Sequence, residues 1–336
     1  MIIMGIESTA HTFGVGIFSD NNGIIAEAKQ EYIPKTGGIL PREVASFFSE
    51  VAGRTIKETL NTSKLGINEI DGIGIALGPG MGPQLRIGAS VARAIAAKYN
   101  KPLIPVNHAI AHIEIGRYLT KLYDPVVLYV SGGNTIITTY LDGKYRIFGE
   151  TLDIALGNLL DTFAREVKLG PPYVKDGNHV VDICAKDGSF IKGFPYIVKG
   201  QDVSFSGLIT AALNYHKKDY KINDICYTLR EVAFSSVVEV TERCLAHTEK
   251  KEVLLTGGVA ANKLLNEKLE KMASRHNATY KAVPAKYSGD NGVMIALTAL
   301  LELKHNIMVE PEKAYILQRW RLDDVDVPWY YLMQRI

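Results

Sequence analysis

The chain carries little of what marks several large protein classes. Its 38 basic and 36 acidic side chains leave a formal net charge of +2 over 336 residues. There is no basic excess of the kind with which a protein grips a nucleic-acid backbone unaided, so an RNA substrate would need partner subunits to bring basic surface. Cysteine is scarce. Cys184, Cys226 and Cys244 form no CxxC pair, and an odd, scattered set makes a poor disulfide framework, so free thiols in a reducing cytosol are expected. No apolar run approaches bilayer length. The opening Met1 to Glu7 has no basic region and meets an acid after six residues, so no signal peptide and no membrane contact is expected, and a cytoplasmic location is.

What is present is apolar and periodic. Hydrophobic residues make up 47% and charged residues 22%, enough for a sizeable core and too long a chain for one small domain. Ile2 to Glu7 and Thr12 to Phe18 read as strands, with a turn at Asp20-Asn21-Asn22-Gly23 and a third strand from Ile24. Helices at Arg42 to Leu60, Gln84 to Tyr99 and His108 to Leu119 alternate with strands at Asp71 to Leu77 and Pro102 to Val106. The order βββαβαβα then begins again. Its second round has a strand at Val126 to Ser131, a hairpin through Asp142-Gly143, helices at Asp153 to Val167 and Asp224 to His247, a strand at Glu252 to Thr256, a helix at Ala260 to Ala273, a strand at Thr279 to Val283 and a helix from Asn291 to His305. The segment from about 170 to 223 breaks the pattern and reads as an insertion.

The expected fold is therefore α/β with two duplicated lobes and a central cleft, where strand carboxyl ends face helix amino ends. The expected division is an N-terminal lobe at 1–122 and a C-terminal lobe at 123–289, with the helix and tail from about 290 to 336 packing on the first.

Four motifs converge on that cleft. His108-Ala109-Ile110-Ala111-His112 puts two imidazoles on one helical face, half of a metal site, or else a pair of buried, hydrogen-bonded histidines. A zinc protease would need Glu where Ala109 stands, so the spacing favours metal without proteolysis. Tyr129-Val130-Ser131-Gly132-Gly133-Asn134 ends a strand in glycines that let backbone amides approach an anion, although the same residues also suit a tight turn. Leu255-Thr256-Gly257-Gly258-Val259-Ala260-Ala261-Asn262 repeats that logic ahead of a helix, with close helix–strand contact as its plain alternative. In Ser288-Gly289-Asp290-Asn291-Gly292, Asp290 reads first as an N-cap, yet its place at the start of the last helix lets its carboxylate complete a His/His/Asp site.

Two weaker features are the loop Leu77-Gly78-Pro79-Gly80-Met81-Gly82-Pro83, better read as structural than as a phosphate cradle, and Asp153 with Asp161. These two acids lie on similar faces of one predicted helix and suit ribose hydroxyls, solvation or capping.

Taken together, the Gly5-Ile6-Glu7-Ser8-Thr9-Ala10-His11-Thr12 opening, HAIAH, YVSGGNT, FGETLDIALGN, SFSGL, TGGVAAN and GDNGVMIA resemble the TsaD family of tRNA threonylcarbamoyladenosine transferases along nearly the whole chain. The opening is similar to the archaeal and eukaryotic branch, which works in the KEOPS complex. The resemblance implies an actin-like, sugar-kinase-like fold and one iron or zinc ion on His108, His112, Tyr129 and Asp290. It also implies contacts to an adenine nucleotide, threonylcarbamoyl-AMP or ATP, from Tyr129, Val130, Ser131, Gly132, Gly133, Asp161 and Asn262. Where the family has a Pro-Gly-Gly-Pro stretch and then Glu, this chain has Lys175-Asp176-Gly177-Asn178-His179 and then Asp182, which makes Asn178 and Asp182 the corresponding substrate contacts. Ser8 stands where the family usually has Gly.

The implied partners are tRNA, a small protein kinase/ATPase subunit, separate or fused, and a small dimerising subunit. The implied reaction moves the threonylcarbamoyl group onto the adenosine 3′ of the anticodon, and no general base stands out, His11 being a candidate by position alone. The rivals are an ATPase or kinase on the same fold, a metal-dependent hydrolase, and a non-catalytic scaffold of an RNA-modifying complex.

Overall fold

The computed structural model describes residues 1–34, 38–171, 173–175 and 178–335. In the first half, β1 (Ile2–Glu7), β2 (Thr12–Ser19) and β3 (Gly23–Glu31) form the meander, followed by α1 (Pro41–Ser63), β4 (Gly72–Gly78), α2 (Gly82–Tyr99), β5 (Leu103–Asn107) and α3 (His108–Thr120). The chain then repeats the meander with β6 (Val126–Val130), β7 (Thr135–Leu141) and β8 (Lys144–Glu150), and continues into α4 (Leu156–Glu166). The insertion holds β9 (Val174–Lys175), β10 (Asn178–His179), α5 (Val180–Cys184), β11 (Val198–Lys199), β12 (Asp202–Val203) and α6 (Ser206–Lys217), so it is more ordered than its composition predicts. The second half closes with α7 (Ile222–Thr248), β13 (Glu252–Thr256), α8 (Lys263–Arg275), β14 (Thr279–Ala282), α9 (Ala285–Ser288) and α10 (Gly292–Leu303).

The two five-stranded sheets have orders β3-β2-β1-β4-β5 and β8-β7-β6-β13-β14, the same sequence of roles in each half. In both, the first strand pairs antiparallel with the second and parallel with the fourth. The duplication read from element order is thus a duplication of topology.

Three apolar cores set the layering. One lies between the first sheet and α1 and α2, with Phe13 against Phe48. Another fills the outer face of the second sheet beneath α4 to α8. The third joins the two sheets through α3 and α10, which run between them and bury Ile110, Ile113, Val293, Met294 and Leu297. Helix α10 sits in a groove of glycines that crosses three paired strands, Gly16, Gly5 and Gly74. A Cβ on Gly5 would lie 2.2 Å from the backbone nitrogen of Ala296, and one on Gly16 would lie 2.3 Å from that of Val293. Helix α3 leans instead on the second sheet, where Gly116 meets Leu254 and Val283 and Thr256 donates its hydroxyl proton to the carbonyl of His112 at 2.8 Å. The helix that ends each half therefore packs against the sheet of the other.

Two sequence readings are corrected here. Cys184 and Cys226 form a disulfide between α5 and α7, with Cα atoms 6.0 Å apart, while Cys244 is free and buried. Folding of the insertion onto α7 brings together two cysteines 42 residues apart, which spacing alone cannot show. Second, α4 begins at Leu156, three residues later than predicted. Asp153 therefore lies before the helix: its carboxylate accepts from the backbone of Ile154 and Phe205 and from the hydroxyls of Ser204 and Ser206, so it ties SFSGL to β8's exit. No helix among the described residues is long and apolar enough to cross a membrane.

Candidate metal centre and substrate cleft

Helix α3 is started by Asn107, whose side-chain oxygen accepts from the backbone N–H of Ala109 and Ile110 at 3.0 and 3.2 Å. That cap fixes His108 as the first helical residue and His112 one turn on, with ring centroids 4.7 Å apart. At the other end of the chain, Asn291 caps α10 by accepting from Met294 N–H at 2.9 Å. The cap predicted for Asp290 is thus supplied by its neighbour, and Asp290 turns into the junction between the lobes. One ligand atom each from His108, His112 and Asp290 lies within 4.8 Å of the others. Both imidazole Nε2 atoms face Asp290 Oδ1, at 3.6 Å from His108 and 3.2 Å from His112.

The donor chemistry suits a divalent cation of the zinc or iron type: two imidazole nitrogens and a carboxylate oxygen in a buried, enclosed position. Tyr129, fully buried, lies with its ring 5.2 Å from that of His112, and its hydroxyl accepts from Asn134 Nδ2 at 3.3 Å. Burial, reinforced by the Asp290 charge, raises the Tyr129 phenol far above its usual range, a shift that a nearby cation would reverse. Burial also lowers His112. For His108 burial opposes the charge, but the Glu7 carboxylate and Asp290 outweigh it and raise the imidazole to about 9, so an arriving ion competes with that proton. Burial works against the Asp290 charge too, yet His112, His108 and His11 together hold the carboxyl well below its ordinary value.

Beside this centre the carboxyl ends of β6 and β13 are paired, Tyr129 opposite Thr256. Gly257, with φ of 94°, follows at once, and a Cβ there would strike the carbonyl of Val130 at 2.3 Å. Ser131 and Asn134 close the β6–β7 turn on each other, with Ser131 N–H to Asn134 O at 2.9 Å and Asn134 N–H to Ser131 Oγ at 3.0 Å. Gly132 and Gly133 at its tip are exposed and open. The tight turn is thus what the structure shows here. The α4 amino end meets it, since Gly157 donates its N–H to Ser131 O at 3.2 Å.

The remaining substrate candidates fall into two contacts. Asp161 pairs with His179 Nε2 at 3.0 Å, a partner the sequence did not single out. Asp182 accepts from Asn262 Nδ2 at 2.6 Å, while Asn262 Oδ1 caps α8. Asn178 is exposed on β10, and Asp176 and Gly177 lie outside the described residues. An open cavity of about 440 Å³ adjoins this group, lined in part by Asn178, Asp182, Tyr227 and Arg230. Burial raises Asp182 despite the opposing Arg230 charge. Two further residues were missed beside the candidate metal centre: Glu7, whose carboxylate is 2.9 Å from His108 Nδ1, and Thr9, which bonds to Glu7. An acid ending an apolar strand was the available signal.

Two duplicated sheets, helices crossed between them and a His/His/Asp cluster at the crossing define a two-lobed, actin-like α/β protein with an interlobe centre. Solved structures share that fold. HypF of T. kodakarensis superposes with a TM-score of 0.63 at 17% identity, covering 94% of this chain and 49% of that one. The activator of the 2-hydroxyisocaproyl-CoA dehydratase from Clostridium difficile gives 0.53 at 14% identity, covering 91% and 97%. The family model described as TsaD, tRNA N6-adenosine threonylcarbamoyltransferase, matches residues 23–297. Curated relatives carrying that name include one from Aeropyrum pernix, 60% identical over 98% of this chain and 95% of its own length, and one from Sulfurisphaera tokodaii, 56% identical over 98% of each. The chain belongs to the TsaD family and is an enzyme of the transferase class.

Proposed function

We propose that this chain transfers the threonylcarbamoyl group from threonylcarbamoyl-AMP to the exocyclic amine of the adenosine immediately 3′ of the anticodon in ANN-decoding tRNAs, as the catalytic subunit of a KEOPS-type complex. The observation that carries the reading is the meeting of His108, His112 and Asp290, with Tyr129 beside them, against the open Ser131–Asn134 turn. His108, His112, Tyr129 and Asp290 would hold one zinc or iron ion, which when bound supplies a Lewis acid for carbonyl or phosphate oxygen.

The protein's own groups do the rest. Backbone amides of Gly132 and Gly133, at the open tip of the turn that Val130 and Ser131 lead into, orient the phosphate, so that the bond between the carbamoyl carbon and the phosphate oxygen is held for displacement by the amine nitrogen, with AMP leaving and the amine's proton passing to solvent. Asp161, Asn178, Asp182 and Asn262 line the nucleotide's sugar and base. The adenosine must leave its stack to reach the cleft, which suits a single-stranded anticodon loop. A net charge of +2 leaves much of the tRNA grip to a small protein kinase/ATPase subunit and a small dimerising subunit. Ala109 leaves the HxxxH helix without the glutamate a zinc protease needs, so hydrolysis is the weaker reading.

The test is transfer of labelled threonylcarbamoyl from its adenylate to an ANN-decoding tRNA, with partner subunits present. Wild type is expected to label the RNA, and His108→Ala to lose at least about a hundredfold in rate, the size of effect that follows loss of a Lewis acid worth several kcal/mol. A folded, metal-loaded wild type that labels no RNA with partners present would sink the proposal.

A further inference from the structure

Glu7 ends β1, is fully buried, and has both carboxylate oxygens committed. Oε1 accepts from Thr9 N–H at 2.6 Å and from the Thr9 hydroxyl at 2.5 Å. Oε2 lies 2.9 Å from His108 Nδ1, and the Thr9 hydroxyl oxygen lies 3.2 Å from that same nitrogen. Because the hydroxyl's proton points to Glu7, it offers His108 only a lone pair. Two acceptors thus converge on Nδ1, which must carry a proton. In the neutral ring that tautomer leaves the lone pair on Nε2, the atom facing Asp290. His112 differs: its buried Nδ1 has no hydrogen-bond partner among the described residues, so no group behind the ring selects its tautomer.

We propose that Glu7 is a positioning residue of the metal centre, which, with Thr9 as its anchor, sets the His108 tautomer that presents Nε2 to the ion. The inference rests on reading the His108, His112 and Asp290 cluster as a metal site. It makes a sharp prediction for an isosteric change. In Glu7→Gln the two Thr9 donors still demand an acceptor at the Oε1 position, so the amide oxygen must occupy it. The amide NH2 then faces His108 Nδ1, which has to accept, and the ring proton moves to Nε2 and closes the ligating nitrogen.

The experiment titrates Zn²⁺ into the full-length wild type and the E7Q protein in competition with a chromophoric chelator. It adds ¹⁵N NMR of the histidine rings of zinc-loaded wild type and a melting curve for each protein. E7Q is expected to bind zinc 10- to 100-fold more weakly, the range typical for loss of a partner behind a ligating histidine, and wild-type His108 is expected to show a protonated Nδ1 and a metal-bound Nε2. E7Q affinity within twofold of wild type overturns the role of Glu7 and leaves the metal site standing. Wild type that takes up no zinc overturns the metal site, and this inference with it. Should E7Q fail to fold, the wild-type ring spectrum decides alone, a proton on His108 Nε2 being the overturning result.

Discussion

The Glu302 carboxyl lies inside the layer between the sheets with one oxygen unpartnered among the described residues, and burial holds its pKa well above the usual carboxylate value. The unfolded chain ionises this group from about pH 4.5 upward, its ordinary value, while the folded chain keeps the proton. Its contribution to stability is therefore complete below that pH and shrinks as pH rises toward the folded pKa, by at most about 1.4 kcal/mol per unit for a single group. Glu302→Gln should flatten the stability-versus-pH curve between pH 5 and 8, read by urea unfolding; parallel curves for the two proteins would contradict this. At this same scale the sequence was most legible where geometry is local. His108 and His112 were readable from their spacing, because one turn of helix guarantees proximity. Asp290 was ambiguous, and what freed it for the site was Asn291 taking the cap. Glu7 and His179 escaped because their partners lie 101 and 18 residues away, a relation only the fold creates. Ser8, where the family usually has Gly, is accommodated by Gly88, on which a Cβ would come within 1.9 Å of the Ser8 hydroxyl.

Among the elements, α10 depends most on what its neighbours lack. Its backbone reaches the strands because Gly5 and Gly16 have no side chain, and both clashes would be with backbone nitrogen, which cannot swing aside. Gly5→Ala should cost about 3 kcal/mol or more, at the upper end of overpacking penalties. Gly53→Ala, exposed in the middle of α1 with nothing within 4 Å of the new Cβ, should stabilise by about 0.5–1 kcal/mol through helix propensity. Denaturant melts of the two variants check the pair, and a Gly5→Ala protein as stable as wild type would contradict the packing described. Element order and sheet content were legible because each apolar run was long and cleanly bounded. The insertion was not, since α5 and β12 bury Val181 and Val203 in the core beneath α7, a contact between segments distant in sequence.

For the whole molecule, the tail beyond α10 fastens one lobe to the other. Leu317 N–H donates to Leu77 O at 2.8 Å and Asn107 Nδ2 donates to Trp320 O at 3.2 Å in the first lobe. Val327 N–H donates to Gly143 O at 2.8 Å in the second, and the Tyr330 hydroxyl donates to Asp124. Tyr330 stacks on Tyr140 with centroids 3.5 Å apart and covers the guanidinium of Arg117, itself paired with Glu114 at 3.0 Å. Tyr330→Ala should cost about 3–5 kcal/mol, the range for emptying a buried aromatic site. A melting temperature within a degree or two of wild type would show that the tail contributes little.

The exchange of helices between the lobes also governs when the centre comes into being. His112 and Asp290 are 178 residues apart, which at ribosomal speeds is on the order of ten to thirty seconds of synthesis. Through that interval the nascent chain holds two imidazoles on α3 and an unfilled glycine groove, without the Asp290 carboxylate that later meets them. On the proposed reading of His108, His112 and Asp290 as one site, that site is complete only once the segment leading into α10 has been made.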